Sequence, residues 1–167
     1  MASLQTPKLL ALDAEFARAS WFNMYVMVWS GEVRSQHLTT LEQEMWALAT
    51  TYPGVIALSI LEQGARPPEP WAREIIKNQQ RALASHLVKS VQLVDGQGFW
   101  ASSVIGVVVS FQNLRETGLR QSVARSVAEA AKEICPFVRG PQGQTANALD
   151  VAKIIQGIRT QRNARAA

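Results

Sequence analysis

The sequence predicts an α/β domain with a single mixed β-sheet, covered by about four helices and followed by a helical tail. Two observations predict this class. Apolar runs of strand composition alternate with amphipathic segments in units of about 30 residues, which connect parallel strands through right-handed crossovers. Two further runs at the start are adjacent and suit an antiparallel hairpin. We divide the chain into a domain over residues 8–136, a linker over residues 137–146 and a basic amphipathic tail over residues 147–167.

The strands are predicted from short apolar runs bounded by turn residues. The first two runs cover residues 8–16 and 21–29, with residues 17–20 as their connection. Aromatic and β-branched side chains fill the second run on both faces, which is typical of a strand in the middle of a helix-covered sheet. The remaining predicted strands cover residues 55–61, 91–94 and 119–124.

The helices are predicted from apolar positions that recur at steps of three and four. They cover residues 35–52, 70–87, 99–114 and 126–134. Ser35 is the expected N-cap of the first helix, and Pro70 suits the first turn of the second. The third contains the strand-like run 107–109, but the segment is too long for one strand. Ser126 and Glu129 fit a capping box at the start of the fourth.

The charge of the chain is concentrated at one end. The 167 residues contain 17 Lys and Arg and 13 Asp and Glu, which gives a net charge of +4. Residues 1–136 carry 12 basic and 12 acidic side chains, so the whole excess lies after residue 136. A neutral domain with a short basic tail, without interleaved aromatic side chains, disfavours nucleic acid as a partner.

Composition also indicates the cellular compartment of the protein and how its fold is stabilised. A single cysteine, Cys135, excludes an intrachain disulfide and a Cys-rich zinc site. A chain of this length buries a core without a metal or a cofactor, so we expect no cofactor. The start has no apolar run behind a basic cluster, and no stretch contains 18 consecutive apolar residues. We therefore expect a cytoplasmic protein without a transmembrane segment.

The order of the elements and four stretches of sequence resemble a STAS domain, the fold of the anti-sigma-factor antagonists and of the cytoplasmic domains of sulfate transporters. These stretches are 24–29 (MYVMVW), 55–58 (VIAL), 91–94 (VQLV) and 121–130 (QSVARSVAEA). The resemblance covers roughly residues 8–134. It implies a non-enzymatic module of bacterial regulation that binds a protein partner or itself. Because a divergent branch of this fold is similar to lipid-carrier domains, a small apolar or anionic ligand is the alternative.

The resemblance does not extend to the phosphorylation site of the signalling members. In those proteins the strand that corresponds to residues 55–61 leads into a turn whose serine or threonine is phosphorylated by the partner kinase. Here residues 62–70 contain no hydroxyl side chain. We therefore predict no phosphorylation site in this turn.

Two loops that follow predicted strands are the candidate site, because open sheets bind ligands at the carboxyl ends of their strands. The second loop also leads into a helix N-terminus, which attracts anions. If both loops lie at the same edge, their aromatic side chains form an exposed patch that anchors a partner, whereas packing in the core is the alternative. The predicted ligand- or partner-binding residues are Glu62, Arg66, Glu69, Trp71, Asp95, Gly96, Gly98, Phe99 and Trp100.

The chain offers few groups for catalysis. His37, in the first turn of the first helix, is predicted as a surface residue. His86, in the last turn of the second helix, is predicted to interact favourably with the helix dipole. Cys135 follows a helix C-terminus, where the dipole disfavours a thiolate. No metalloprotease, hydrolase, P-loop or dinucleotide motif occurs. We expect no catalytic residue and no metal site, and the alternative is an enzyme that uses either histidine with a nearby carboxylate.

The tail predicts an amphipathic helix that Thr145 or Asn147 caps. Because an isolated helix of this length is marginal in water, its apolar stripe needs a cover. The cover is either its own domain, or a second copy of the chain, or another protein or an anionic membrane. The residues predicted to take part in this interaction are Val151, Ile154, Ile155, Ile158, Arg159 and Arg162.

Overall fold

The strands and helices of the computed structural model follow the predicted α/β order over the residues that it describes, which are 5–112 and 121–166. The elements are β1 (Lys8–Leu12), β2 (Phe16–Trp21), β3 (Met24–Trp29), α1 (Ser35–Thr51), β4 (Val55–Glu62), α2 (Pro70–Leu83), β5 (Leu87–Asp95), α3 (Gly98–Gln112), β6 (Gln121–Ala124), α4 (Val127–Ile134) and α5 (Ala148–Ala166). A short 3-10 turn over Cys135–Phe137 follows α4.

The strands form one mixed sheet in the sequential order β1-β2-β3-β4-β5-β6. The pairs β1–β2 and β2–β3 are antiparallel, whereas the pairs from β3 to β6 are parallel. Each parallel connection contains one helix, which is α1, α2 or α3. The predicted fold class, a single mixed sheet with an antiparallel N-terminal part, covering helices and a C-terminal helix, is confirmed.

The two faces of the sheet carry separate hydrophobic clusters. Helices α1, α2 and α3 cover one side, the first face, and α4 and α5 cover the opposite side, the second face. Alternate side chains of each strand divide between the two. On β4, Ala57 and Leu61 pack with the first-face helices, whereas Ile56, Leu58 and Ile60 belong to the second-face cluster.

The N-terminal antiparallel part has three strands where the sequence predicts two. Residues 17–20 are not a connection but belong to β2. The prediction is wrong because alanine has a low strand propensity, whereas tertiary packing decides this segment. Ala17 and Ala19 are fully buried on the second face, where small side chains let the covering helices approach the sheet. A turn in which Phe22 adopts a φ of 51° leads into β3.

Helix α2 is shorter than predicted. It ends at Leu83, and a turn closed by the hydrogen bond from the His86 N–H to the Leu83 carbonyl (2.9 Å) separates it from β5. Leu87, which the sequence places at the helix end, pairs with Val55 at the start of β5. Leu87 lies four residues after Leu83, so it continues the helical spacing of apolar residues. For this reason the sequence pattern predicts a helix that is too long.

Side-chain caps form at two of the predicted positions. Ser126 Oγ accepts the Glu129 N–H (3.1 Å) at the start of α4, and Asn147 Oδ1 accepts the Asp150 N–H (2.9 Å) at the start of α5. These bonds satisfy N–H groups that have no partner within the helix. The predicted N-termini of α4 and α5 are confirmed.

Other predicted element ends differ from the structure or fall outside it. Ser35 is the first residue of α1 and not its N-cap, which is Arg34. The predicted third helix is confirmed over Gly98–Gln112. The predicted positions 113–114 and 119–120 lie outside the described residues.

Helix α5 belongs to the core. Its apolar stripe lies in the second-face cluster with residues of the sheet and of α4. The exposed fractions of the stripe residues are 0% for Val151, 7% for Ile154, 0% for Ile155 and 0% for Ile158. The chain's own domain therefore covers this stripe. Among the helices of residues 5–112 and 121–166, α5 included, none combines the length and the apolar character that crossing a membrane requires.

Candidate functional site

A cavity of about 150 Å³ lies between the first face of the sheet and helices α1, α2 and α3. Strands β3 to β6 form its floor, α1, α2 and α3 form its wall, and the loop between β4 and α2 forms part of its rim. Most of the lining is aliphatic or aromatic. The strand residues that line it are Met27, Trp29, Ala57, Ser59, Leu61, Leu87, Ser90, Gln92 and Gln121.

Small side chains in the middle of the sheet explain why the cavity forms. The floor under α2 consists of Ala57 and Ser59 on β4 and of Ser90 on β5. Interiors are normally close-packed, so short side chains at positions that helices cover leave a void unless large side chains above fill it. Ile76 and Leu83 of α2 and Leu38 of α1 line the void and leave it open.

The floor of the cavity carries a polar strip, which we define as Ser59, Ser90, Gln92 and Gln121. In the parallel register Ser59 is the partner of Gln92, and Ser90 is the partner of Gln121. Ser90 is only 4% exposed. Ser59 Oγ lies 3.8 Å from Met27 Sδ, a weak contact. Within the described ranges, the side chains of Ser90, Gln92 and Gln121 make no hydrogen bond to another protein group.

The two predicted loops meet at the carboxyl edge of the sheet, beside the rim of the cavity. Gln97 donates its N–H to Gln63 Oε1 (3.2 Å), and the Trp100 indole N–H donates to the Ala65 carbonyl (2.9 Å). The parallel register places Glu62 directly beside Asp95 at the ends of β4 and β5. The structure thus brings the two loops together.

Arg159 of α5 joins the two acidic residues of these loops. Its Nε and Nη2 donate to the two carboxylate oxygens of Glu62 (2.9 and 2.8 Å), and Nη2 also lies 2.5 Å from Asp95 Oδ2. Burial alone would lower the pKa of Arg159, but the hydrogen bonds and charges of Glu62 and Asp95 raise it above its usual value. Glu62 and Asp95 are therefore occupied by an intramolecular ion pair.

Arg162, one turn further along α5, is also turned toward the sheet. Its Nη2 donates to the Ala14 carbonyl (2.9 Å) and to Ser30 Oγ. Both predicted tail arginines thus contact the chain itself, and so does the apolar stripe beside them.

The aromatic patch expected from the two loops is not assembled. Trp100 is partly buried and packs with the first-face clusters, whereas Trp71 is 42% exposed and donates its indole N–H to Glu69 Oε2 (3.0 Å). Among the described ring contacts, none joins Trp71 to Trp100. The side chain of Phe99 lies outside the description. Arg66 is exposed and lines the rim.

The two glycines of the second loop have conformational roles. A Cβ at Gly96 would overlap the Trp100 ring and the Gln63 side chain, so only glycine permits this close approach. Gly98 has a φ of 72°, in the left-handed region that favours glycine. Loop geometry therefore accounts for both residues.

The structure separates the two histidines. His37 is 5% exposed, so its prediction as a surface residue is wrong: its ring packs against Phe16 and Trp29, and Nδ1 accepts the Arg34 N–H (3.3 Å). Burial lowers the pKa of His37 below its usual value. His86 lies in the turn after α2, not in the helix, and packs against the Trp46 ring.

In the part of the chain that the structure describes, no group of three His, Cys, Asp or Glu side chains is placed to hold a metal ion. His37 follows the carboxyl end of β3 and His86 precedes the amino end of β5, so they lie at opposite edges of the sheet. The two histidines therefore do not share a site, and the carboxylate near His37 is that of Asp13, whose Oδ2 lies 3.8 Å from His37 Nε2.

Comparison of the chain with protein-family models, with curated proteins and with solved structures finds no match. The resemblance to STAS domains thus depends on the sequence pattern alone and stays a prediction.

Proposed function

We propose that this protein is a non-catalytic binding module whose ligand is a small, largely apolar molecule held in the cavity of the first face. The cavity itself supports this proposal. Its lining is mostly aliphatic and aromatic, and helices cover it on one side and the sheet on the other. Concave, mostly apolar sites with a few convergent polar groups are typical of small-molecule binding. This is the ligand-binding alternative that the STAS-like pattern implies.

The volume of the cavity limits the size of the ligand. An apolar cavity of about 150 Å³ made by mutation in another protein binds benzene. The cavity of this protein has about the same volume. We therefore propose a ligand of roughly this size, or one apolar segment of a longer molecule that leaves through the rim, and not a lipid with two acyl chains in the cavity.

Binding of toluene to the wild type and to a variant with a filled cavity tests the proposal. Toluene at ten times its Kd is expected to raise the free energy of unfolding by about 1.4 kcal/mol, because it binds only the folded state. Ala57, which is 7% exposed and lines the cavity, is changed to leucine to fill the space. We expect A57L to lose the stabilisation by toluene, as measured by thermal unfolding with and without the ligand.

The matched control is Ala152→Leu, a partly buried alanine of α5 that packs on the second face. This variant adds the same atoms away from the cavity and is expected to keep the response to toluene. No response in the wild type, or an equal response in A57L, would contradict the proposed function.

We propose a second candidate, a protein-binding surface at the start of α2, because two large apolar side chains are exposed there. Trp71 is 42% and Ile75 is 36% exposed, and they lie one helical turn apart. Exposed Arg66 and Glu69 lie on the preceding loop. Exposed aromatic anchors beside charged residues are typical of protein interfaces, and this candidate retains the interaction function that the STAS-like pattern implies.

The double variant W71S/I75S tests this surface in a quantitative pull-down from a lysate of the source organism. We expect it to lose a protein that the wild type retains, because truncating interface anchors removes most of the binding energy. Leu149→Ser is the control, since Leu149 is 63% exposed on α5. Equal recovery by both variants would remove this candidate.

A further inference from the structure

We propose that the ligand of the cavity carries an uncharged hydrogen-bonding group, a hydroxyl or an amide, that binds the polar strip. The apolar part of the ligand lies beneath α1 and α2. This inference rests on the proposed function, since it names the ligand class of the same cavity.

The two ends of the cavity differ in polarity. At the β3 end, Met27 and Trp29 of the strand and Leu38, Leu41 and Met45 of α1 line it with apolar atoms only, apart from the indole nitrogen. At the opposite end, β5 and β6 contribute Ser90, Gln92 and Gln121. A ligand that fills both ends therefore matches them only if it is apolar at one end and polar at the other.

Two buried polar side chains outside the polar strip have hydrogen-bond partners: Asn23, and Gln79, which also lines the cavity. Asn23 is 2% exposed, and its amide donates to the carbonyls of Gly54 (2.8 Å) and Phe137 (3.0 Å) while its oxygen accepts the Arg139 N–H (2.8 Å). Gln79 is 8% exposed and donates to the Leu38 carbonyl (2.9 Å). These two side chains follow the general rule that buried polar groups are hydrogen-bonded, whereas the buried Arg162 Nε, outside the cavity, has no partner in the described part of the chain.

The polar strip lines the cavity, and its Ser90, Gln92 and Gln121 side chains have no hydrogen-bond partner among the described protein groups. Ser90, 4% exposed, makes no side-chain hydrogen bond to any described group. Gln80 of α2 also lines the cavity, and its buried Oε1 has no hydrogen-bond partner in the described part of the chain. A buried polar group without a partner is unfavourable, whereas a valine or an alanine would fit a purely apolar site. The side chains of the polar strip, which line the cavity, are therefore placed to bind a polar group of the ligand.

The strip favours an uncharged group. Hydroxyl and amide side chains both donate and accept hydrogen bonds, which matches an alcohol or an amide. Among the described residues that line the cavity, Arg66 is the one with an ionisable side chain, and it is exposed at the rim. A carboxylate or phosphate on the strip would be buried without a cation, which is strongly unfavourable.

Four probes of similar size test this inference on the full chain: toluene, 1-hexanol, hexanamide and hexanoate at pH 8, where hexanoate is ionised. Calorimetry gives the Kd of each. Hexanol and hexanamide are expected to bind the wild type at least about tenfold more tightly than hexanoate does, because only the neutral groups match the strip.

Two variants of the strip, Ser90→Ala and Gln92→Met, separate its contribution from that of the apolar lining. Each is expected to weaken hexanol binding about fivefold, the effect of one hydrogen bond, while toluene binding is unchanged. Ser102→Ala is the control, because Ser102 is exposed on α3 and outside the cavity lining. It is expected to leave both affinities unchanged.

The outcomes distinguish this inference from the proposed function. If toluene binds the wild type but both strip variants bind hexanol as tightly as the wild type does, the assignment of the polar strip is wrong and the apolar cavity stands. Tighter binding of hexanoate than of hexanol would likewise overturn it and favour an anionic ligand. If no probe binds, both the inference and the proposed function fail.

Discussion

At the level of single residues, Arg159 has the most consequential contacts, because it connects the last helix to both loops of the predicted site. Its side chain is 16% exposed and that of Glu62 is 14% exposed, so their bidentate pair is largely shielded from water. Asp95, whose side chain is 42% exposed, adds a second carboxylate. Without the guanidinium, two neighbouring carboxylates would face each other at the ends of β4 and β5.

Replacing Arg159 by methionine is therefore expected to lower the free energy of unfolding by about 3 kcal/mol, since it leaves Glu62 largely buried without its cation. Urea unfolding at neutral pH measures the effect. The double variant Glu62→Gln with Arg159→Met is expected to recover part of the loss. Arg66→Met, at an exposed position of the neighbouring loop, should change the stability by less than about 0.5 kcal/mol. A loss of that small size in R159M would show that the ion pair contributes little.

Residue-level contacts of this kind could not be predicted from the sequence. Arg159 and Glu62 are 97 positions apart in the chain, and their pairing depends on where α5 lies on the sheet. The sequence pattern does place Glu62 and Asp95 at the ends of neighbouring parallel strands, which the register confirms. It also predicts His37 as exposed, because a polar residue in the first turn of an amphipathic helix gives no sign of the rings of Phe16 and Trp29 beside it.

At the level of elements, α5 shows that an amphipathic tail can be a structural layer. Its stripe completes the second-face cluster, and its N-cap, Arg159 and Arg162 bind groups of the same chain. Burial of the stripe means that its side chains contribute to folding and are not available to a partner. The Ala17 and Ala19 positions of β2 lie in the same cluster.

Truncation of Ile155, which is fully buried in α5, tests this role. Ile155→Ala is expected to reduce the free energy of unfolding by about 3 kcal/mol, through lost burial and the cavity that remains. Leu149→Ala on the same helix, at a position that is 63% exposed, should have an effect below about 0.5 kcal/mol. Denaturant unfolding of both variants makes the comparison. If both variants lower the free energy of unfolding by less than about 0.5 kcal/mol, α5 does not belong to the part of the chain that unfolds cooperatively.

Elements with a strong apolar period were predictable from sequence, because the period reflects which side faces the core. The segments α1, α3, α4, α5 and β4 lie where the pattern places them, whereas β3 begins at Met24, three residues later than predicted, because Trp21 ends β2 and residues 22–23 form the turn. One kind of failure occurs where short polar or small residues are buried by distant parts of the chain. β2 is such a case, since only its position between β1 and β3 and under the second-face helices makes it a strand.

At the level of the whole molecule, the structure shows that part of the positive charge is used in contacts within the chain. All of the +4 excess arises after residue 136, which suggests a basic tail that faces a partner. Two of the five basic residues after residue 136, Arg159 and Arg162, are directed onto the chain's own acidic and carbonyl groups. The charge of this segment therefore contributes partly to attaching α5 to the domain.

The cavity is also a property of the whole molecule. It depends on the separation between β3 to β6 and three helices, which no local pattern specifies. A sign of it exists in the sequence, because Ser59 and the alternating Ser90 and Gln92 interrupt strands that are otherwise strongly apolar. Such interruptions fit an exposed strand face equally well, so only the position of the covering helices identifies them as a cavity floor.

The position of α5 on the second face also bears on how the chain folds during synthesis. Arg162 binds the carbonyl of Ala14, a contact between residues 148 positions apart, and the stripe of α5 covers strands that are translated early. At typical translation rates of 5–20 residues per second, roughly 7 to 30 s pass between these two segments. During this interval the apolar second face of the first strands has no helix over it. Until α5 is synthesised, this apolar surface is open to non-native association, which makes the order of synthesis part of how the second face is protected.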